Sequence, residues 1–549
     1  MKNTKILLGA VFTTLLTVGT LTGCNRNKSG EDKYDKNGRL ILELKNVYFS
    51  SQTSGNFTGD DTYTEFLNEK FGVKIKPSNY DYSNWDEAVN IAMNGNNLTD
   101  AIQFNLKAYN FGSTYEKWVR DMMIKPLPDD MSKWPEIQKM LNNVSNIDAL
   151  KINGKLYGIP IMNDIVNYQK DFSNFTYVYR RDWAKEIDEE NKGVTGYVPV
   201  YKEGDVYEWD EFLRLLDAFK ASPHEFQESV MVDESWGFPS VTNFYKDVPH
   251  CFAKDENGKA INAFTSDKYL AGLDKAKEFV GTESNPKYYS QDQFNFTENK
   301  AKELYLGDKA GVIYDNYSLA NYIDLRNSFR QDKKHKDVNL EDATALLKVK
   351  GPDGKFALEG TENWFSMTMF NYDISDKKLE KILDILDYLL TEEGTRLAIY
   401  GKEGYDYYVN DDGTIELTDI GWEKDMDGNY GIKINGAKFM RYMVTLGNDT
   451  KSFDPYTDMD AFNILNAWSN EMKQAKDQGK LRIVKEPADI DWMSTPTKND
   501  KTESILADAN TSVLKYCFSK IRTIDAYKDT FNTAAWRRIL DEINERLGK

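Results

Sequence analysis

An α/β fold built on mostly parallel sheets is predicted by three features of this 549-residue chain. Short apolar runs of strand length alternate with longer stretches whose apolar residues recur every three to four positions. Hydrophobic residues make up 40% of the chain and charged residues 29%, enough apolar material for two or three separate cores. Cysteines and histidines number three each, too few for a disulfide framework or a multi-cysteine zinc site to replace those cores.

In chain order, Lys2 and Lys5 precede an apolar stretch from Ile6 to Leu21 that ends in Leu21-Thr22-Gly23-Cys24. That stretch is too short and too rich in small residues for a comfortable membrane span, so residues 1–23 read as an export signal. The terminal four residues resemble a bacterial lipobox, which makes Cys24 the expected lipidated first residue of the mature chain. Two acyl chains anchor stably at about 0.8 kcal/mol per buried methylene. Residues 25–39 carry almost no apolar groups, so residues 24–39 are expected to form a flexible tether. Cys251 and Cys517 read as isolated buried thiols more readily than as a disulfide.

The body begins at residue 40. Leu40, Leu42 and Leu44 alternate as a strand, and Tyr63, Phe66 and Leu67 recur at helical spacing. Val73 and Ile75 read as a second strand. Asn84, with Glu87 three residues on, caps a helix carrying Ala88, Ile91 and Ala92, and Ala101 to Phe104 reads as a third strand. Strand–helix–strand–helix–strand is the pattern of a parallel sheet. Later helices are marked by Phe212, Leu215, Leu216 and Phe219, and by Leu379, Ile382, Leu383, Leu386, Leu389 and Leu390, with Gly394 expected just past the second helix end. Phe462, Leu465, Trp468 and Met472 form another stripe stopped by Gly479, and Trp536, Ile539, Leu540, Ile543 and Leu547 close the chain. Short strands are expected at Gly311–Tyr314 and Trp364–Met369.

Several chemistries are excluded. The net charge of −18 repels phosphate backbones, so nucleic acid is not an expected partner. No two glycines are separated by a single residue, and no Gly-Lys is followed by Ser or Thr, which removes the dinucleotide fingerprint and the P-loop. His224, His250 and His335 lack metal-binding spacing, and no G-x-S-x-G elbow is present. Asp425-x-Asp427-Gly428 starts like a calcium loop, but its twelfth position is Gly436. No metal and no cofactor are expected. Two carboxylates of a glycosidase leave no local pattern, so a polysaccharide hydrolase or lyase stays open on sequence grounds.

Several ordered segments resemble the extracellular solute-binding lipoproteins of bacterial ABC importers, in the long members of the carbohydrate-type family 1. They are Asn153-Gly-Lys-Leu-Tyr-Gly-Ile-Pro160, Tyr177-Val-Tyr-Arg-Arg-Asp-Trp183, Glu208-Trp-Asp-Glu-Phe212, and Leu386 to Gly394 with Gly401 and Gly404. Asn84-Trp85 through Asp100 and Met122 to Leu127 are similar too, with Thr99 in place of a proline and Asp121 in place of a glycine. Ala221-Ser-Pro-His-Glu-Phe226 stands where some members carry a calcium loop and lacks its ligand spacing, so no metal is carried over.

The resemblance implies two α/β lobes of the periplasmic-binding-protein type, with a ligand cleft at the hinge. Lobe 1 is expected over 40–160 plus 305–370 and lobe 2 over 161–304 plus 371–549, with the first crossing near Pro160. It implies a non-catalytic monomeric receptor on the outer face of the cytoplasmic membrane, passing an oligosaccharide to ABC permease transmembrane subunits. A peptide-binding receptor is the alternative. Sugar rings need aromatic faces and oriented amide, carboxylate or guanidinium partners, in loops that follow strands. On that basis the candidate ligand-binding residues are Gln52, Asn105, Tyr109, Asn163, Arg180, Trp236, Tyr314, Asn316, Trp364, Tyr405 and Asp406.

Overall fold

The structure, a computed structural model, describes residues 32–47, 57–81, 85–95, 97–105, 111–163, 171–222, 230–233, 251–282, 285–289, 293, 298–331, 335–411, 413–422, 435–446, 458–491 and 493–548. Cys24, His224, His250 and Asp425–Gly428 lie outside them.

Its principal strands are β1 (Leu40–Asn46), β2 (Val73–Asn79), β3 (Ala101–Asn105), β4 (Ile159–Met162), β5 (Phe175–Arg180), β6 (Met231–Asp233), β7 (Val312–Asn316), β8 (Thr344–Leu346), β9 (Phe356–Glu359), β10 (Trp364–Phe370) and β11 (Leu481–Val484). They form a five-stranded sheet in the order β2-β1-β3-β10-β4, a four-stranded sheet in the order β8-β5-β7-β6, and a separate parallel pair, β9 with β11. In the first sheet β1 runs parallel to β2 and to β3, while β10 lies antiparallel between β3 and β4.

Local chemistry sets these elements. Leu40, Leu42 and Leu44 are buried, so one face of β1 is core. Helix Thr62–Phe71 is capped by Asp61, whose Oδ1 accepts the Tyr63 and Thr64 N–H groups at 3.0 and 2.9 Å, and it ends at Gly72 in the left-handed conformation (φ 65°). Helix Trp209–Ala221 opens with a capping box between Glu208 and Glu211 and buries Phe212, Leu215, Leu216 and Phe219. Met459–Asp477 and Ala534–Leu547 carry the remaining stripes, with Gly479 at φ 68° just beyond the first of them. Gly394 departs from expectation. The stripe from Leu379 ends with helix Asp376–Leu390, and Gly394 lies in the first turn of the next helix, Glu392–Tyr400. A Cβ there would stand 2.0 Å from the Tyr388 carbonyl oxygen, so close packing, not a helix stop, requires the glycine. Cys251 and Cys517 are both free and buried.

Two large cores follow the two sheets. The first gathers β1–β4 and β10 with Ile382, Leu386, Leu397 and Phe439 from later helices. The second gathers Tyr177, Phe212, Leu216 and Val312 with Val513, Trp536 and Ile539 from the C-terminal helices. Lobe 1 is therefore built from 40–162 and 364–446, and lobe 2 from 175–359 and 459–547, with β9 and β11 attached to lobe 2 through a smaller core in which Phe356, Leu358, Trp468 and Leu481 pack against Leu346 of β8. The expected tether is shorter than residues 24–39, since Ile41 N–H donates to Lys33 O at 2.9 Å and Ser375 Oγ donates to Asp32 Oδ1 at 2.7 Å. Two expected lobe boundaries also move. Residues 305–359 belong to lobe 2, because β7 pairs with both β5 and β6 and β8 pairs with β5. Residues 371–446 belong to lobe 1, because the helix after β10 buries Leu379, Ile382, Leu383 and Leu386 in the first core.

Candidate functional site

Three crossings join the lobes: 163–174, 360–363 and 447–458. Described residues in and next to them bond to one another. Met162 N–H donates to Val444 O at 3.1 Å, Leu446 N–H to Met162 O at 2.9 Å, and Asn163 N–H to Asn363 O at 2.9 Å. Ser173 N–H donates to Glu359 O, Thr361 N–H to Asp171 O, and Gly360 N–H to Val484 O, at 2.8, 3.0 and 2.7 Å. One edge of each sheet meets this ribbon. In lobe 1 it is the carboxyl end of β1, β2, β3 and β4 together with the start of the reversed strand β10. In lobe 2 it is the carboxyl end of β6 and β7 and the start of β5, where Tyr317 N–H donates to Asn174 O at 2.9 Å. Ligands of open α/β sheets sit outside such edges.

Of the predicted residues, Gln52, Tyr109 and Trp236 lie outside the described residues. In the chain, Gln52 and Tyr109 follow β1 and β3, and Trp236 follows β6. Asn105 ends β3 and Asn163 directly follows β4 on the lobe 1 edge; Asn163 is exposed and Asn105 partly so. Across the hinge, Tyr314 and Asn316 stand at the matching end of β7. Tyr314 packs with Phe175 and Tyr177 at ring-centroid distances of 5.8 and 4.8 Å, and together with Trp468 these rings line a small cavity beside β9. The Asn316 side-chain oxygen is buried, with no hydrogen-bond partner among the described residues.

Three predicted residues have other work. Arg180 is 2% exposed and lies at the far end of β5, because β5 runs antiparallel to β7 and its residue 175 faces Asn316. About 16 Å of strand separates the two positions. Its guanidinium donates to Asp182 at 2.9 and 2.7 Å and to Asp308, and it covers the Trp183 ring at 4.4 Å. Burial opposes that charge, but the bonds and charge of Asp182 outweigh it and hold the Arg180 pKa above its ordinary value. Trp364 begins β10 on the cleft edge but is fully buried, its indole N–H donating to Ser145 O at 2.8 Å. Asp406 is also buried; its Oδ2 accepts the Tyr63 hydroxyl at 2.9 Å and the Lys402 N–H at 2.7 Å, bracing the 401–406 turn on helix Thr62–Phe71. Burial, then the Asp406 charge, pushes the Tyr63 hydroxyl well up, so it stays a donor. Tyr405 next to it is 56% exposed, as is Tyr408, and Trp422 is 50% exposed.

Sequence reading missed a polar cluster at the second crossing. Glu362, 2% exposed, accepts bonds from Ser145 Oγ and from Asn146 Nδ2 (2.7 Å), and pairs with Lys485 Nζ at 2.6 Å. Asn363 Oδ1 accepts the Ser145 N–H at 3.0 Å. These residues are more than 100 positions apart in the chain, so no local signal marks them. Among the described residues no group of three or more His, Cys, Asp or Glu is placed to hold a metal ion, and no helix is long and apolar enough to cross a membrane.

No protein-family model matches the sequence, and no curated protein matches it. Solved structures do resemble it along nearly its whole length. The alginate-binding protein AlgQ2 is 13% identical, with 93% of this chain and 98% of that chain covered at a TM-score of 0.57. A human-milk-oligosaccharide (HMO) binding, ABC-transporter-associated solute-binding protein from Bifidobacterium longum infantis is 16% identical, with 92% and 98% covered at 0.60. The S. pneumoniae ABC-transporter substrate-binding protein FusA, in complex with kestose, is 15% identical, with 93% and 99% covered at 0.55. At these identities the likeness establishes the fold, the two-lobed solute-binding-protein fold.

Proposed function

We propose that this chain is a substrate-binding protein of an ABC importer that captures an oligosaccharide between its lobes and hands it to the permease transmembrane subunits. The observation that carries the reading is the geometry of the hinge, which sets the ligand-facing edges of two α/β sheets on either side of three crossings. Residues suited to sugars stand on both edges: Asn105 and Asn163 on one, Tyr314 and Asn316 on the other. The glycan ligands named for the structural neighbours support a sugar over a peptide. Gln52, Tyr109, Trp236 and the exposed Tyr405 belong to the same proposed contact set. Closure of the lobes buries the ligand without chemistry, so the receptor is not an enzyme and releases its cargo unchanged.

The Lys2–Cys24 pattern supports export and a lipid anchor at Cys24, with the receptor held at the outer face of the cytoplasmic membrane. In a bacterial host the wild-type chain is then expected in the membrane fraction and the Cys24→Ala chain outside it.

Thermal-shift screening against oligosaccharide and peptide panels tests the ligand class. At 100 times its Kd, a true ligand stabilises the native state by about 2.7 kcal/mol. The expected result is a shift with one glycan class and recovery of that glycan intact. A shift with peptides alone moves the ligand class while keeping the fold, and a cleaved glycan overturns the receptor reading.

A further inference from the structure

Glu362 sits where three chain segments from two lobes meet. It belongs to the second crossing, four residues long, between β9 of lobe 2 and β10 of lobe 1. On the lobe 1 side its carboxylate takes the Ser145 hydroxyl and the Asn146 amide, residues of a turn anchored in the first core through Val144 and Leu150. On the lobe 2 side its Oε1 also takes Lys485 Nζ at 2.6 Å, from the residue that follows β11. Gly360 permits the close approach of β11, since a Cβ there would stand 2.6 Å from Lys485 Cβ. Burial raises the cost of the Glu362 charge, and the bonds from Lys485 and Ser145 overcome it, so its pKa lies below the ordinary carboxylate value.

We propose that Glu362 and Lys485 form an inter-lobe latch that sets the resting angle of the hinge, with Glu362 as a positioning residue that touches no ligand. The lobe 1 contacts fix the carboxylate on one body, and the ammonium that completes its shell rides on the other. Rotation about residues 360–363 must break the ion pair or carry Lys485 with it. Because one side chain serves both bodies, the pair biases a two-state element and is not a brace within one lobe. A surface pair has little such leverage; this one is nearly dry at the carboxylate, with Lys485 28% exposed.

The test uses ligand-free protein, so it stands or falls apart from the sugar reading. Hydrogen exchange is followed at the Gly360 and Thr361 amides, which bond to Val484 O and Asp171 O, alongside the radius of gyration from small-angle scattering. Lys485→Met is expected to speed exchange at these two amides by roughly 10-fold and to change the radius of gyration, with amides of the helix Trp209–Ala221 unaffected. Lys485→Arg is expected to restore both to wild type, a rescue that bulk packing at this site does not predict. Glu362→Gln is expected to match Lys485→Met, and the double variant to add nothing further. Lys192→Met, which removes an exposed lobe 2 charge, is expected to leave both readouts unchanged. Unchanged hinge exchange and an unchanged radius of gyration in Lys485→Met overturn the latch, whatever the folding of Glu362→Gln.

Discussion

Glu486 sits two residues beyond β11, and its Oε1 accepts the backbone N–H of Cys251 at 2.8 Å. Burial, then the neighbouring charge of Asp491, pushes its pKa up to about 7 from the unfolded value of 4.5. A carboxyl whose pKa is higher folded than unfolded holds its proton better in the native state. Stability is then greatest below pH 4.5 and falls as pH rises through 7, by at most about 3 kcal/mol. Glu486→Gln keeps an acceptor oxygen for the Cys251 amide. Its denaturation midpoint is expected to exceed that of wild type at pH 8 and to match it near pH 4.5. At this scale the sequence was least legible. Trp364 and Arg180 stood at the right strand ends for a ligand role, yet the fold places the indole in the core and the guanidinium on the far edge of its sheet. Neither burial nor strand direction is written in residue spacing. Asn105, Asn163 and Asn316, read from the same rule, do occupy the edges beside the hinge.

Helices and strands were mostly legible because each carries its own period and its own punctuation. The stripes from Phe212 and Leu379 and the stop at Gly479 mark the helices they were read to mark, although Gly394 does not end the second of them. The short helix Gly436–Arg441 had no such signal. It is six residues long and buried throughout, Lys438 and Arg441 included, so it is too short for a period to show and its charges do not mark a solvent face. Its approach to helix Thr62–Phe71 depends on Gly436, where a Cβ would fall 1.8 Å from Thr64 Oγ1 and 3.0 Å from Thr64 Cα. Gly436→Ala forces those helices apart and is expected to cost about 1–3 kcal/mol, read from a denaturant midpoint shift at unchanged slope. The alanine's better intrinsic helix propensity, about 1 kcal/mol at most, does not offset that.

At the scale of the whole molecule, the two-lobe plan was legible but the lobe boundaries were not, for one reason. The fold alternates between lobes three times, and a strand such as Val312–Asn316 reads the same in either sheet until its partners are known. β10 shows what that alternation demands. It supplies the strand between β3 and β4, pairing with Phe104 through Met367 on one side and with Pro160 on the other, although it lies some 200 residues downstream. A chain emerging from its amino end, as it does in synthesis or secretion, therefore carries two unmatched and largely apolar strand edges until residue 370 is free. A fragment ending at residue 363 is expected to aggregate on refolding, and adding the 364–549 fragment to the same refolding mixture is expected to restore soluble material, both read by light scattering. The lobe that begins the sequence is thus the one that cannot be finished first.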